Sequence, residues 1–378
     1  MATPASFSVF ATPNVIDWQV RGNLATGAQH STGTVVDTGT VVDMATVVDT
    51  GTVVDMVATP ADHGTAMSHP PDSQPASMSA PTRGTPSPTV KDWLAGARPR
   101  TLPSAVVPVV VGAACAYGAS AAHYVVWWRV IAALAVSLLL QIGVNYANDY
   151  SDGIKGTDDV RVGPMRLVAS GTASPKAVRV AALLSLALAA VIGLGLAAAT
   201  SWWLIAVGCA AIAAAWFYTG GKRPYGYFGL GELFVFVFFG LVATAGTTYV
   251  ACEKLPAVTW LAATGVGLLV TSLLVANNLR DIPTDREVGK RTLGVRLGDR
   301  RTRWLYTLLV GGSFPVAVVI GITHPWALLA LAAVGLARKP VRTVMGGATG
   351  RDLISVLGDT GRVQLLYGIL LSVGLIVR

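Results

Sequence analysis

Two short polar segments interrupt an otherwise apolar chain, and both contain residue types that bind charged ligands. The first covers residues 145–159 and the second covers residues 277–292. Each segment follows a long hydrophobic run and combines carboxylates, amides and basic side chains. Charged groups beside a bilayer are costly and are usually functional. We therefore expect the two segments to hold one polyanionic ligand, through a divalent metal and through Arg and Lys side chains.

The first segment has metal-binding residue types at helical spacing. If the preceding helix continues this far, positions i, i+3, i+4 and i+7 share one stripe. These positions are occupied by Asn145, Asn148, Asp149 and Asp152. Their oxygens suit a hard cation such as Mg²⁺, which takes its other ligands from water and substrate phosphates. The basic residues that follow are Lys155, Arg161 and Arg166. The alternative is a solvated loop at a helix end, but two amides inside the apolar run favour function.

The second segment repeats this pattern with a spacing of four. Asn277, Asp281 and Asp285 share one face if the segment is helical. Because Pro283 disfavours α geometry at the residue before it and lacks a backbone donor, we expect the helix to kink or restart there. Basic residues that could bind an anion are Arg280, Lys290 and Arg291.

Further candidates lie between the two segments. Tyr218 and Lys222 are in a polar connection and are assigned to substrate binding. Glu232 lies a few residues into the next apolar run. Three roles stay open for this carboxylate: holding an aromatic hydroxyl, accepting a proton, or pairing with a neighbouring Arg or Lys.

The composition indicates a membrane protein. Of the 378 residues, 53% are hydrophobic and 13% are charged, against about 25% charged in soluble domains, and the mean hydropathy is +0.57. Apolar runs alternate with short connections along most of the chain. They predict an all-α polytopic bundle with nine transmembrane helices, at 103–121, 127–148, 177–197, 201–218, 228–250, 257–279, 304–322, 325–344 and 361–377.

Basic residues concentrate in the connections on one side of these predicted spans, and both polar segments lie on that side. The opposite side carries Arg129, Lys254 and Arg378. The positive-inside rule therefore places the N-terminus and both polar segments in the cytoplasm, and the C-terminus outside the plasma membrane. Topology also explains the net charge of +8, so nucleic-acid binding, which basic chains can indicate, is not predicted. The three Cys and five His lack metal-ligand spacing, which argues against a soft-metal, heme or disulfide site.

Residues 1–88 differ in composition from the rest of the chain. Thr-Val-Val-Asp recurs at 34–37, 40–43, 46–49 and 52–55, and Gly, Pro, Ser and Thr follow. So short a period buries little apolar surface, which predicts a disordered extension. No cleavable signal peptide is predicted at the start. We therefore divide the chain into an extension at 1–88 and an intramembrane domain at 90–378.

A prenyl diphosphate suits these features as the polyanionic ligand. It joins a charged head to a long hydrocarbon, so a membrane enzyme can take the tail from the lipid side and hold the head at the interface. Loss of diphosphate leaves an allylic cation, which an electron-rich aromatic ring attacks. Metal ions and Arg or Lys side chains stabilise the departing charge.

At these residues the chain resembles the UbiA superfamily of intramembrane aromatic prenyltransferases. The mark of that superfamily is a pair of Asp-rich motifs on cytoplasmic loops after the second and sixth of nine spans. The naphthoate-prenylating branch is the closer match, through residues 93–112 (including Arg98-Pro99-Arg100-Thr101-Leu102-Pro103), 145–166, 218–240 and 277–298. The resemblance covers about 90–378, and residues 1–88 have no counterpart in the family.

The resemblance implies Mg²⁺-dependent transfer of a polyprenyl group from polyprenyl diphosphate to 1,4-dihydroxy-2-naphthoate in the lipid bilayer. CO₂ and diphosphate are lost, and demethylmenaquinone is formed. By motif match, metal and diphosphate would be held by Asp149, Asp152, Asp281 and Asp285, assisted by Asn145, Asn148 and Asn277. Phosphate oxygens would be bound by Lys155, Arg161, Arg166, Arg280, Lys290 and Arg291. The position four after Asp152 is Gly156, where the general superfamily spacing has an acid, so Asp158 or Asp159 would complete the site.

Two alternatives stay open. A sister prenyltransferase would act on hydroxybenzoate or heme, but Lys155-Gly156 and the Asn277–Arg280 stretch argue against it. A membrane transporter would place its acidic residues near the bilayer midplane, whereas most of these lie at the ends of predicted spans.

Overall fold

The computed structural model describes residues 6–12, 15–24, 27–36, 88–119, 124–157 and 165–377. The chain divides into two compact units, Met1–Ala80 and Pro81–Arg378. The candidate site residues belong to the second unit.

The described part of the first unit is a three-stranded antiparallel meander. Its strands are β1 (Ser6–Thr12), β2 (Val15–Leu24) and β3 (Gly27–Val36), and β2 pairs with both neighbours. The sequence analysis did not predict these strands. The first Thr-Val-Val-Asp copy begins within β3, and the later copies lie outside the described residues.

Helices joined by short connections make up the described part of the second unit. Its α-helices are α1 (Val90–Gly96), α2 (Pro103–Ala119), α3 (Trp127–Ile154), α4 (Pro175–Ala199), α5 (Trp203–Phe217), α6 (Gly231–Val235), α7 (Ala243–Cys252), α8 (Ala257–Glu287), α9 (Leu293–Gly321), α10 (Ala333–Met345) and α11 (Asp352–Ile376). A π-helical segment, Phe236–Val242, joins α6 to α7. Short 3₁₀ segments lie at Pro99–Thr101, Tyr225–Phe228 and Pro325–Ala332. Non-helical backbone at Gly298 interrupts α9 near its start.

The all-α, membrane-spanning fold is confirmed, and a helix lies at each of the nine predicted spans. By length and composition, five helices among the described residues qualify to cross a membrane. They are Trp127–Ile154, Pro175–Ala199, Gly231–Cys252, Ala257–Glu287 and Leu293–Gly321. A sixth qualifies if the pair Val90–Thr101 and Pro103–Ala119, bent by 54°, counts as one span. The chain is therefore a multi-pass membrane protein.

The predicted restart of the helix at Pro283 does not occur. Helix α8 runs through Pro283 without a break and ends at Glu287. Proline inside a helix costs about 3 kcal/mol, but α8 is also the most deeply packed of the five long spans, with 67% of its apolar window buried. Because packing holds the helix together, Asn277, Asp281 and Asp285 stay on one continuous element.

Close packing of glycines fixes the π-helical segment against α8. A Cβ atom on Gly240 would lie 2.5 Å from the Cα atom of Gly267, so the two backbones touch with no side chain between them. Short π-helical stretches inside α-helices are frequent at functional sites. The π-helical segment follows α6, which carries Glu232 and also contacts α8.

Candidate active site

A large cavity with apolar walls and one polar end lies within the helical unit. Its volume is about 760 Å³. The walls include apolar residues from α3, α4, α5, the π-helical segment and α7, among them Leu140, Leu204, Phe238 and Val250. The polar end includes Asp152, Asp281, Asp285 and Lys290. A hydrocarbon chain with a charged head has the matching distribution of polarity.

The two polar segments meet at this end of the cavity. The Nζ atom of Lys290 lies 3.2 Å from Oδ1 of Asp152, and Nη2 of Arg166 lies 3.7 Å from Oδ2 of the same carboxylate. Asp152 is 3% exposed and Lys290 is 7% exposed. An ion pair therefore joins the first segment to the second, which lies far away in sequence.

Tyr227 organises this ion pair, and the sequence analysis missed it. Its hydroxyl donates to Oδ1 of Asp152 at 2.8 Å. The ammonium groups of Lys155 and Lys290 lie 4.9 Å and 5.0 Å from its ring centroid. Its carbonyl also accepts from the backbone N–H of Arg291 at 3.1 Å. Tyr227 lies in a 3₁₀ turn with no periodic pattern, so no spacing signal in the sequence marks it.

Asp149 binds the backbone of the turn that follows the first polar segment. Its Oδ2 accepts from the backbone N–H of Leu167 at 2.8 Å and its Oδ1 from that of Val168 at 3.0 Å. The residue is 1% exposed and is not among the residues that line the cavity. In this arrangement Asp149 holds the turn that carries Arg166, so that Arg166 reaches Asp152. A metal-binding role for Asp149 stays a prediction.

The two amides of the first segment line the cavity and fasten neighbouring loops to α3. Asn145 donates from Nδ2 to the carbonyl of Ala97 at 2.9 Å and to Oγ1 of Thr101 at 3.1 Å. The Oδ1 atom of Asn148 accepts from Oγ1 of Thr219 at 2.8 Å. The carbonyl of Thr219 in turn accepts from Nζ of Lys155 at 2.6 Å.

In the second segment, Arg280 grips Asp281. Its Nε and Nη2 atoms donate to the two oxygens of Asp281 at 2.7 Å and 2.8 Å, and Nη2 also donates to Oδ1 of Asn277 at 2.8 Å. Its Nη1 atom is buried and has no hydrogen-bond partner among the described residues. Asp285 accepts from Oγ1 of Thr292 at 3.3 Å. The fixed guanidinium therefore has the two N–H groups of Nη1 left for an anion.

The remaining predicted binding residues fall into three groups. Lys155 lies next to the cluster, and burial lowers the pKa of its ammonium below the usual value; Asp152 opposes this shift and Lys290 reinforces it. Lys222 and Arg291 are exposed, and neither lines the cavity. Arg161, Asp158 and Asp159 lie outside the described residues.

Glu232 pairs with an amide. Its Oε1 atom accepts from Nδ2 of Asn278 at 2.8 Å, and both residues are buried. Tyr218 is close by, since a Cβ atom on Gly231 would lie 3.0 Å from its ring. Tyr218 and Asn278 line the cavity. Among the described residues Glu232 has no Arg or Lys ion-pair partner, so a role toward the substrate stays open.

The acidic residues suit a metal that arrives with its phosphate ligand better than a preformed metal cage. No group of three His, Cys, Asp or Glu side chains converges on one point within the described part of the chain. Three carboxylates and two amides nevertheless line one end of the cavity: Asp152, Asp281, Asp285, Asn148 and Asn277. Hard oxygen donors in small number are what Mg²⁺ takes from proteins when water and phosphate complete its shell.

Comparison with known proteins agrees with the fold. The model of the UbiA prenyltransferase family matches residues 105–342. The 1,4-dihydroxy-2-naphthoate octaprenyltransferase of Mycobacterium tuberculosis is 53% identical over 73% of this chain and 94% of its own length. The protein of that name from Escherichia coli is 36% identical over 75% and 94%. A UbiA homolog from Archaeoglobus fulgidus, solved with DMAPP and Mg²⁺, superposes with a TM-score of 0.52 at 15% identity and covers 74% of this chain and 99% of that chain. The chain belongs to the UbiA prenyltransferase family.

Proposed function

We propose that the protein transfers a polyprenyl group from polyprenyl diphosphate to 1,4-dihydroxy-2-naphthoate, with loss of CO₂ and diphosphate, in menaquinone biosynthesis. The observation that carries the proposal is the Asp152–Lys290 ion pair at the polar end of an apolar cavity. Dihydroxynaphthoate is proposed as the acceptor because relatives at 53% and 36% identity are named for it. The catalytic part is residues 90–378, and the site faces the cytoplasm at the plasma membrane, as the distribution of basic residues indicates.

The basic residues of the site bind the diphosphate and stabilise the charge that develops as it leaves. Arg166, Lys290 and Lys155 surround Asp152, and Arg280 presents its Nη1 atom from the second segment. When a phosphate oxygen enters this cluster, the basic side chains exchange a carboxylate partner for a phosphate partner. Such preorganised charge acts most strongly in a site from which water is excluded.

Asp152, Asp281 and Asp285 are the residues that would hold Mg²⁺ together with the diphosphate. When bound, the metal would supply Lewis-acid stabilisation of the leaving phosphate oxygens. The geometry favours Asp152 over Asp149 for this role, because only Asp152 lines the cavity.

The acceptor chemistry balances without a base for the ring carbon. The C–O bond of the prenyl diphosphate breaks and its electron pair leaves with diphosphate. The ring carbon that carries the carboxylate donates a pair to form the new C–C bond. The bond to the carboxylate then breaks, its pair returns to the ring, and CO₂ leaves in place of a proton. The immediate product is the hydroquinone form of demethylmenaquinone.

The test is to incubate purified full-length protein with dihydroxynaphthoate, a polyprenyl diphosphate and Mg²⁺, and to identify the product by mass. We expect Asp152→Asn and Asp281→Asn to reduce turnover by at least about 100-fold, because each removes a carboxylate that would hold Mg²⁺ together with the diphosphate. Asp352→Asn is the matched control, since Asp352 is exposed and outside the cavity. Near-normal turnover in both site variants would contradict the proposal.

The same preparation separates the alternatives. Hydroxybenzoate or heme prenylated in preference to dihydroxynaphthoate would identify a sister enzyme. Movement of substrate across liposomes without chemical conversion would identify a transporter.

A further inference from the structure

A second polar part of the cavity lies at the turn before α2, away from the acidic residues. Arg98, Pro99, Arg100, Thr101 and Ser104 all line the cavity there. Helix α11 contacts this turn, and its apolar residues Ile354 and Leu357 also line the cavity. The diphosphate site uses none of these residues. This part of the cavity therefore combines guanidinium groups with apolar surface.

The turn is held rigidly against α3. The Oγ1 atom of Thr101 accepts from Nε2 of Gln141 at 3.3 Å and from Nδ2 of Asn145 at 3.1 Å, and it donates to the carbonyl of Arg98 at 2.9 Å. Asn145 also binds the carbonyl of Ala97. These bonds fix the backbone on both sides of Arg98.

Arg98 adopts a backbone conformation that is rare for its residue type. Its φ angle is 55°, in the left-handed region that favours glycine. Such strain persists where the surroundings determine the conformation, and it is frequent at ligand-binding sites. The side chain is half-buried, and its Nη2 atom is shielded from solvent. The fold thus spends conformational energy to place this guanidinium at the cavity wall.

The turn and the diphosphate site are adjacent but separate. The turn is fastened to α3 at Asn145, seven residues before Asp152, which is roughly 10 Å along a helix. A reaction between two anionic substrates needs two separate binding sites, because a diphosphate and a carboxylate repel each other in a single site. Their reacting carbons must nevertheless touch, so their binding groups must lie within one substrate length.

We propose that the Arg98 turn binds the carboxylate of the aromatic acceptor, through the Arg98 guanidinium assisted by Arg100, with the ring against Ile354 and Leu357. This inference rests on the proposed function and assigns the acceptor's position within it. The guanidinium fork matches a carboxylate bidentately. It also stabilises the carboxylate before attack and so opposes loss of CO₂ until the new C–C bond has formed.

The test compares how tightly the protein binds two ligands that differ by one carboxylate, under conditions without turnover. Full-length protein in detergent is saturated with inorganic diphosphate and Mg²⁺, which occupies the diphosphate site. Affinities for 1-hydroxy-2-naphthoate and for 1-naphthol are then measured by calorimetry. We expect the wild type to prefer the acid by about 10- to 100-fold, as for a charge-assisted bidentate pair. Arg98→Gln should reduce this preference to a few-fold and leave the affinity for 1-naphthol unchanged.

Arg301→Gln is the matched control, because Arg301 is an exposed basic residue outside the cavity, and it should keep the full preference. Arg98→Lys keeps the positive charge but loses the bidentate guanidinium geometry, so it should lower the preference for the acid several-fold. This variant serves as the test if Arg98→Gln does not fold. An unchanged preference in the folded Arg98 variants would overturn the inference and leave the proposed function standing. So would a loss of diphosphate affinity instead of acid affinity. If the wild type binds neither naphthalene, the proposed function itself fails.

Discussion

Tyr227 contacts both polar segments of the site, although it belongs to neither. Its hydroxyl satisfies Asp152, its ring faces two ammonium groups, and its backbone is bonded to the second polar segment. An aromatic face attracts cations by about 0.5–2 kcal/mol depending on desolvation. The ring therefore keeps Lys155 and Lys290 close together despite their mutual repulsion.

Substitutions at Tyr227 should separate these two contributions. Tyr227→Phe removes the hydrogen bond and keeps the ring, so we expect a loss in kcat/KM for the prenyl diphosphate of about 10-fold. Tyr227→Leu removes both and should lose about 100-fold. Steady-state kinetics at saturating acceptor measures both losses. Tyr249→Phe, a substitution outside the cavity, is the control, and equal activity in the Phe and Leu variants would argue against any role for the ring.

Asp149 and Asp152 are three residues apart but should behave differently. Asp149→Asn replaces an acceptor of a backbone N–H by a donor in a buried position, which costs about 1.5–3 kcal/mol. We expect both substitutions to lower the melting temperature, because Asp152→Asn also breaks a buried ion pair with Lys290, but only Asp152→Asn to weaken the Mg²⁺ dependence of turnover. Thermal unfolding in detergent and a Mg²⁺ titration of turnover measure these two effects. A normal melting temperature for Asp149→Asn, combined with a weakened Mg²⁺ dependence, would favour the metal-binding role that the motif implies.

At the scale of the elements, the long apolar helices and the helical stripe of the first segment could be predicted from the sequence. Apolar runs and a spacing of three and four residues are local properties, so they predicted the helices and the exposure of Asn145, Asn148 and Asp152 to one cavity. The continuity of α8 through Pro283 could not be predicted, because it depends on packing by distant helices. The position of Tyr227 and the use of Asp149 on the 165–168 turn depend on tertiary contacts in the same way.

The π-helical segment tests how strictly one element is positioned. Gly240→Ala would place a methyl group 2.5 Å from the backbone of Gly267, and backbone atoms have no flexible end that can move aside. We expect a destabilisation of about 1–3 kcal/mol, typical of overpacking, and a lower melting temperature. Gly335→Ala is the control, since a Cβ atom there meets nothing within 4 Å, and it should be neutral or slightly stabilising. Equal melting temperatures would show that α8 and the π-helical segment separate easily.

At the scale of the whole molecule, the cavity reaches from the polar end deep into the bundle. Its wall on α3 includes both Asp152 and Ala133, which are roughly 28 Å apart along a helix. That length is close to the roughly 30 Å hydrocarbon core of a bilayer. A prenyl chain of many isoprene units can therefore lie along the cavity with its head at the polar end.

A larger side chain in the apolar part of the cavity should reduce the length of prenyl chain that the cavity accepts. Gly246 lines the cavity, and a Cβ atom there meets nothing within 4 Å. We expect Gly246→Leu to keep turnover with a short prenyl diphosphate and to reduce it about 10-fold or more with a long one, since an overfilled apolar site costs about 1–3 kcal/mol. Comparing kcat/KM for both lengths measures the effect. The control is Gly311→Leu, at an exposed glycine of α9, and an equal loss with both lengths would place the tail elsewhere.

The ion pair between Asp152 and Lys290 has a consequence for selectivity among anions. Inorganic phosphate and nucleotides carry the same anionic groups as the head of a prenyl diphosphate. A basic cluster already neutralised by its own acids attracts such competitors only weakly. A prenyl diphosphate brings a cation that pairs with the released carboxylates and a hydrocarbon chain that fills the apolar part of the cavity. It therefore gains binding free energy that the other anions cannot. The cavity therefore favours a ligand that combines a diphosphate, a bound cation and a hydrocarbon chain. Simple anions bind weakly because the basic side chains are already paired with carboxylates.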